Sequence, residues 1–160
     1  MRYFICVFMV AVMLFFTSCN KEIVEKSFES GEFSIVLDSS FKDKKAEGAY
    51  AYYISKDYLI VCDREVFDEI NAEYRDFSED KYAEVVCAIN EKSVDTIKKS
   101  GSSVYLEYTY EADGKEYYYN SFIKKGSSAF YIITFTAESK EDHSFYNSKF
   151  ISWFDTVSVE

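Results

Sequence analysis

Val104-Tyr105-Leu106-Glu107-Tyr108-Thr109-Tyr110-Glu111-Ala112-Asp113-Gly114-Lys115-Glu116-Tyr117-Tyr118-Tyr119-Asn120-Ser121-Phe122-Ile123 decides the fold. Leu106, Tyr108 and Tyr110 alternate with Glu107, Thr109 and Glu111, the period of a half-buried strand. Asp113-Gly114 is a strong hairpin signal, because a two-residue turn between strands wants residues that tolerate positive φ. Glu116 to Ile123 is then the partner strand. Working forward, Lys125-Gly126-Ser127 turns the chain again and Phe130 to Ala137 forms a heavily apolar third strand. The second half of the chain is therefore an antiparallel meander, entered by a short strand from Val94 to Lys98 and a turn at Ser100-Gly101-Ser102.

Two helices flank it. Ser78 is a good N-cap, and Glu79 and Asp80 fall in the first turn, where the helix dipole favours anions. Tyr82, Val85, Val86 and Ile89 follow at i, i+3, i+4 and i+7, an apolar stripe that faces a sheet. At about 100° per residue, Cys87 lies about 140° from Tyr82, off the centre of that stripe. Asp142 caps a last helix in which Tyr146, Phe150, Trp153 and Phe154 share a face, and Thr156 to Glu160 is a short extended tail.

Ahead of the meander, Ser27 to Glu29 and Glu32 to Leu37 read as strands across a Ser30-Gly31 turn, with Phe33, Ile35 and Leu37 on one face. Lys42 to Gly48 reads as a charged loop. Ala49 to Ile54 and Tyr58 to Asp63 form a hairpin about Ser55-Lys56-Asp57. The expected class is α+β, an antiparallel sheet of about six strands packed with two helices.

The first nineteen residues are of another kind. Arg2 is followed by an apolar run from Tyr3 to Phe16, then Thr17, Ser18 and Cys19, the layout of an export signal. Fourteen apolar residues fall short of the roughly 20 that span a bilayer as a helix. Phe16-Thr17-Ser18-Cys19 resembles a bacterial lipoprotein box, which implies cleavage before Cys19 and acylation of its thiol with a palmitate-type anchor. The expected organisation is a signal peptide over 1–18, a lipidated cysteine and tether over 19–26, and a single domain over 27–160. The anchor places that domain on the extracytoplasmic face of a bacterial membrane.

Composition bounds the function. The chain of 160 residues carries a formal charge of −10, and loss of Arg2 leaves 17 Lys+Arg against 28 Asp+Glu. Nucleic acid is excluded as a partner, since such affinity rests on cations that neutralise phosphates. Aromatic residues make up 19%, with 15 Tyr, 15 Phe and no Pro, a sheet-rich globular composition.

With Cys6 and Cys19 accounted for, Cys62 and Cys87 remain in the domain. Export permits a disulfide between them, and two separate buried or half-buried thiols are the default. Neither has a His or Cys neighbour at metal-ligand spacing.

The whole pattern resembles the PsbP-like group, an α/β/α sandwich shared with Ran-binding Mog-type proteins and many small bacterial lipoproteins. The resemblance runs through Phe33-Ser34-Ile35-Val36-Leu37 to Phe41, Tyr82-Ala83, Tyr105-Leu106-Glu107-Tyr108, the Asp113-Gly114-Lys115 turn, Phe130 to Phe135, Phe150 and Thr156 to Val159. It implies a binding or accessory protein, and it brings no catalytic residues or cofactor.

Three features invite chemistry. His143 stands alone at the start of a helix, with no nucleophile motif around it. Asp63, Glu65, Asp68, Glu69, Glu73, Asp76, Glu79, Asp80 and Glu84 form an acidic stretch over 63–84. Read functionally, that stretch is a weak Ca²⁺ site or the acid and base of a carboxylate enzyme; as structure it is a solvated loop running into a helix start. Tyr117, Tyr118 and Tyr119 put rings on both faces of one strand, where exposed Tyr would bind a glycan or an envelope protein and buried Tyr is ordinary strand packing. The expected role is a non-enzymatic binding or accessory module held to a membrane, with no cofactor.

Overall fold

The computed structural model describes residues 23–160. In chain order the strands are β1 (Glu25–Ser30), β2 (Phe33–Asp38), β3 (Lys42–Lys44), β4 (Ala51–Ile54) and β5 (Tyr58–Val66). Helix α1 (Glu79–Ile89) precedes β6 (Ile97–Ser100), β7 (Ser103–Ala112), β8 (Lys115–Lys125) and β9 (Ala129–Glu138). Helix α2 (His143–Phe154) and β10 (Ser158–Val159) follow.

Seven strands make one antiparallel sheet in the order β3-β4-β5-β9-β8-β7-β6, and β1-β2-β10 make a second of three. The expected α+β class of antiparallel sheet with two helices holds, and the described residues carry ten strands in two sheets where about six strands were expected. The N-terminal hairpin and the C-terminal tail pair with each other because Phe33, Ile35 and Leu37 are buried as a layer over the large sheet, not as an extension of it. β1 also takes in Glu25 and Lys26, placed by sequence in the tether, by pairing them with Asp38 and Leu37. The Lys42–Gly48 loop contains the three-residue edge strand β3, and Val94–Thr96 is a 3-10 turn leading into β6.

Alternation along the central strands divides the molecule into two cores. One face of the large sheet carries Tyr53, Cys62, Tyr118, Phe122, Tyr131, Ile133 and Phe135 and is covered by α2 and the small sheet. The other carries Val104, Leu106, Ile123 and Phe130 and is covered by α1. Helices on opposite faces of an antiparallel sheet make the α/β/α sandwich expected from the pattern.

Both helices begin as their caps dictate. Ser78 Oγ accepts from Lys81 N at 3.3 Å, and Asp142 Oδ1 accepts from Ser144 N at 2.8 Å. α2 buries Tyr146, Phe150 and Phe154 at i, i+4 and i+8. On α1 the buried set is Tyr82, Ala83, Val86 and Cys87, while Ile89 is 71% exposed. The stripe is therefore rotated from the expected one, and Cys87 lies within it. Ala83 and Cys87 sit only about 40° apart around the helix, and the Tyr82 ring stacks on Phe130 at 3.8 Å, which sets the rotation.

Asp113 and Gly114 have φ of 52° and 72°, two consecutive positive values that form the expected tight β7–β8 turn. At Gly31, with φ 56°, a Cβ would also collide with the Tyr50 hydroxyl, which accepts from Glu32 N at 3.2 Å. The small sheet is fastened to the large one by Arg64. Its guanidinium donates to Glu32 Oε2 at 2.8 Å, Tyr131 Oη at 3.1 Å and Ser128 Oγ at 3.1 Å.

Candidate functional site

The β7–β8 register pairs Tyr108 with Tyr119 and Tyr110 with Tyr117, so four tyrosines stand as a two-by-two block on one sheet face. It is the face that α1 covers, where Val104, Leu106, Ile123 and Phe130 form the core under the helix and Tyr108 packs at its margin. The Tyr108 and Tyr119 rings are parallel at 5.1 Å, the Lys92 ammonium lies 4.6 Å from the Tyr108 ring centre, and Tyr110 is 59% exposed. Next to the stack, Tyr108 Oη, Ser121 Oγ and Thr134 Oγ1 form a hydroxyl row across three strands, with separations of 3.3 and 2.9 Å.

Beside this block opens a cleft of about 550 Å³ at the end of the large sheet. Its floor continues the same transverse lane of the sheet: Ile54 pairs with Leu59, Leu59 with Thr136, and Thr136 with Tyr119. One wall is the Ser55-Lys56-Asp57 turn of the β4–β5 hairpin, and the opposite wall is Glu138 to Glu141 with Phe145 and Tyr146. The cleft exists because β8 and β9 run on beyond the hairpin turn, so Glu138 pairs with Tyr117 while β5 has already ended at Tyr58 opposite Ala137.

Tyr146 holds the second wall in shape. Its hydroxyl donates to the Glu138 carbonyl at 2.8 Å and accepts from the Lys140 and Glu141 amides at 3.0 Å each. Glu138 in turn takes Lys140 and Lys115 at 3.1 Å each. Those hydrogen bonds, Lys140's first, hold the Glu138 carboxyl below its usual range, and Glu138 raises Lys140. Burial pushes the Tyr58 and Tyr119 phenols up, so both are neutral donors at physiological pH. The walls thus carry both signs of charge, and Tyr58, Tyr117, Tyr119, Phe145 and Tyr146 supply aromatic surface.

The residues singled out by sequence are separated by the fold. Tyr117 and Tyr119 line the cleft, while Tyr118 points through the sheet into the opposite core, stacked on Phe150 and His143, its hydroxyl buried without a partner among the described residues. Cys62 is buried on the face under α2 and the small sheet, Cys87 in the core under α1; both are free thiols, and the sheet stands between them. The disulfide alternative is replaced by the two-thiol default. Burial pushes the Cys62 thiol far up. Cys19 and the 1–18 segment lie outside the described residues.

The acidic stretch does not converge. Asp68 pairs with Arg75 at 2.6 Å, Asp80 with Lys99 at 2.5 Å, and Glu79 accepts from Lys125 N at 2.9 Å. Asp63 and Glu65 lie on β5, both raised by burial, with Glu65 accepting from the Tyr82 hydroxyl. Among the described residues no three His, Cys, Asp or Glu side chains stand together as metal ligands would.

His143 has neighbours that the sequence does not place beside it. Nε2 is 3.2 Å from Ser139 Oγ and 3.8 Å from Glu116 Oε1. A nucleophile relay needs the carboxylate on one ring nitrogen and the hydroxyl on the other. Here both face the same nitrogen, on the protein surface, so the trio is a helix-start contact. The cleft residues missed in the sequence are Tyr58, Glu138, Lys140, Phe145 and Tyr146. The Asp113-Gly114 turn carries the signal that would have found the tyrosine block, since it sets Tyr110 opposite Tyr117.

No family model and no curated protein matches the chain in sequence. Solved structures similar to it include a protein of Bacteroides thetaiotaomicron VPI-5482, at 14% identity and TM-score 0.49 over 85% of this chain and 48% of that one. The chain therefore spans about half the length of that neighbour. LpqN of Mycobacterium tuberculosis, described as involved in cell envelope biogenesis, is similar at 14% identity and TM-score 0.48, over 86% of this chain and 92% of its own. The cyanobacterial PsbP of Synechocystis sp. PCC 6803 is similar at 11% identity and TM-score 0.44, over 91% and 99%.

Proposed function

We propose that this chain is a lipid-anchored binding module on the extracytoplasmic face of a bacterial membrane, and that its ligand enters the cleft between the β4–β5 turn and the start of α2. The anchor rests on the Phe16-Thr17-Ser18-Cys19 segment, and two acyl chains hold a protein stably where one binds marginally. Among the described residues no helix is long and apolar enough to cross a membrane.

The observation that carries the reading is the cleft itself. Its volume of about 550 Å³ is in the range of ligand sites, and its aromatic lining with a few fixed polar groups is how such sites are built. Enzyme chemistry from the 63–84 carboxylates has less support, because none of them lines the cleft.

The test is photo-crosslinking in the native cells from a benzoylphenylalanine placed at Phe145. A discrete adduct from position 145, absent when the probe sits at the exposed Val94, is the expected result. Equal labelling from both positions, or none from either, removes the reading.

A further inference from the structure

Resting on the reading of the cleft as the binding site, we infer that its ligand is an uncharged oligosaccharide, which lies along the cleft floor with one pyranose ring against Tyr119 and an adjoining one over Tyr117 and Tyr110.

Three observations favour a sugar over a peptide or a charged ligand. First, Tyr117 and Tyr119 bring rings into the cleft, and Tyr110 and Tyr108 continue that aromatic surface across the sheet beside it, in place of a deep aliphatic hole for one anchoring side chain. Aromatic faces suit the axial C–H groups of a pyranose, and the phenol hydroxyls at their rims suit its equatorial hydroxyls.

Second, the charge lining the cleft is of both signs, Lys56 and Lys140 against Asp57, Glu138 and Glu141. Glu138 bridges Lys115 and Lys140, and Lys56 stands next to Asp57 on the facing turn. In a protein of net charge −10, a site for a cation would leave carboxylates free, and a site for an anion would cluster lysines. This cleft interleaves the two signs instead.

Third, the polar groups present both donors and acceptors, as hydroxyl groups require. Lys56 and the two raised phenols, Tyr58 and Tyr119, donate; Asp57 and Glu141 accept, and Thr136 does both. The wall that carries Glu141 is held in shape by Tyr146, which reduces the ordering that accompanies binding there.

The experiment uses the full anchored protein in a sugar-free detergent, titrated calorimetrically with neutral oligomers of glucose, mannose, galactose and N-acetylglucosamine. Oligogalacturonate and a heparin hexasaccharide serve as charged counterparts. At least one neutral oligomer is expected to bind. Tyr119→Ala should weaken it roughly tenfold or more, a loss of about 1.4 kcal/mol, and Tyr119→Phe, which keeps the ring, should restore most of the affinity.

Tyr117→Ala is the second variant should Tyr119→Ala disturb the sheet. Silence across the neutral oligomers, binding confined to the charged ones, or affinity indifferent to both alanine variants overturns the proposal. If the Phe145 probe then still yields a protein adduct, the cleft binds a polypeptide and only the sugar is wrong. If that probe is silent as well, the binding-module reading falls with it.

Discussion

The Tyr146 hydroxyl donates to the Glu138 carbonyl at 2.8 Å while accepting the amides of Lys140 and Glu141. One side chain of α2 thereby fixes the loop that walls the cleft. Its counterpart across the same core is Tyr118, whose hydroxyl is buried with no partner among the described residues. The two tyrosines should therefore respond oppositely to loss of oxygen. Tyr146→Phe strands backbone donors and should cost about 1–3 kcal/mol, whereas Tyr118→Phe should be neutral or stabilising. Urea melts of both variants measure this, and a Tyr118→Phe protein as weakened as Tyr146→Phe would contradict it.

Glu32 and Arg64 join the small sheet to the large one at 2.8 Å. The Tyr131 hydroxyl, and after it the Arg64 guanidinium, hold the Glu32 carboxyl below its ordinary value of 4.5. A lowered folded-state value means that the stabilisation is fully present above 4.5 and is lost as pH falls through the folded value. Glu32→Gln should therefore lower Tm at neutral pH, with the deficit closing as the solution is acidified. A deficit independent of pH would assign the effect to packing.

Asp63 has the opposite sign. Burial on β5 raises it above 3.8, so the folded protein holds that proton more tightly, and the charge costs stability as pH rises through the window above 3.8. Asp63→Asn should raise Tm at pH 7, and the gain should vanish below the ordinary value. The charge of Asp63 also raises Glu65, so the substitution relieves both. A fall in Tm at neutral pH would show that Asp63 has a partner of its own.

Cys62 and Cys87 lie in separate cores on opposite faces of the sheet. In the processed protein both should be inert to a thiol reagent while folded and should react together in guanidinium, since the thiolate is the reactive form and burial disfavours it. Dithiothreitol should leave Tm unchanged. A non-reduced peptide map with the two residues linked would refute this arrangement.

Cys19→Ala should abolish incorporation of labelled palmitate and release the domain from the membrane or leave it unprocessed. Wild-type protein that takes up no palmitate would remove the anchor.

Much of the fold was open to reading because it is local. The Asp113-Gly114 turn, the alternation through Leu106 and Tyr108, the Ser78 and Asp142 caps and the apolar face of α2 each follow from a few neighbouring residues. The face of α1 was misread for a different reason. Its rotation is set by what lies underneath, the Phe130 ring from a strand more than forty positions away, and helical periodicity leaves Val85/Ile89 and Ala83/Cys87 as competing edges. The three-stranded sheet was beyond reach for the same reason, since Ser158 and Val159 find Ser34 and Phe33 only after the chain has closed.

By itself the sequence determined the class of the protein, an α+β domain, because strand period, turn chemistry and apolar alternation are properties of contiguous residues. Only the tertiary structure decided where a ligand has room. Tyr117, Tyr118 and Tyr119 are chemically alike and adjacent; the pleat sends the middle one into the core and the outer two toward the cleft. That cleft is made by the offset between the β4–β5 turn and the longer β8–β9 pair, together with the Tyr146 hydroxyl that holds its wall. Such an offset is a relation between chain ends distant in sequence, and no short stretch of residues encodes it.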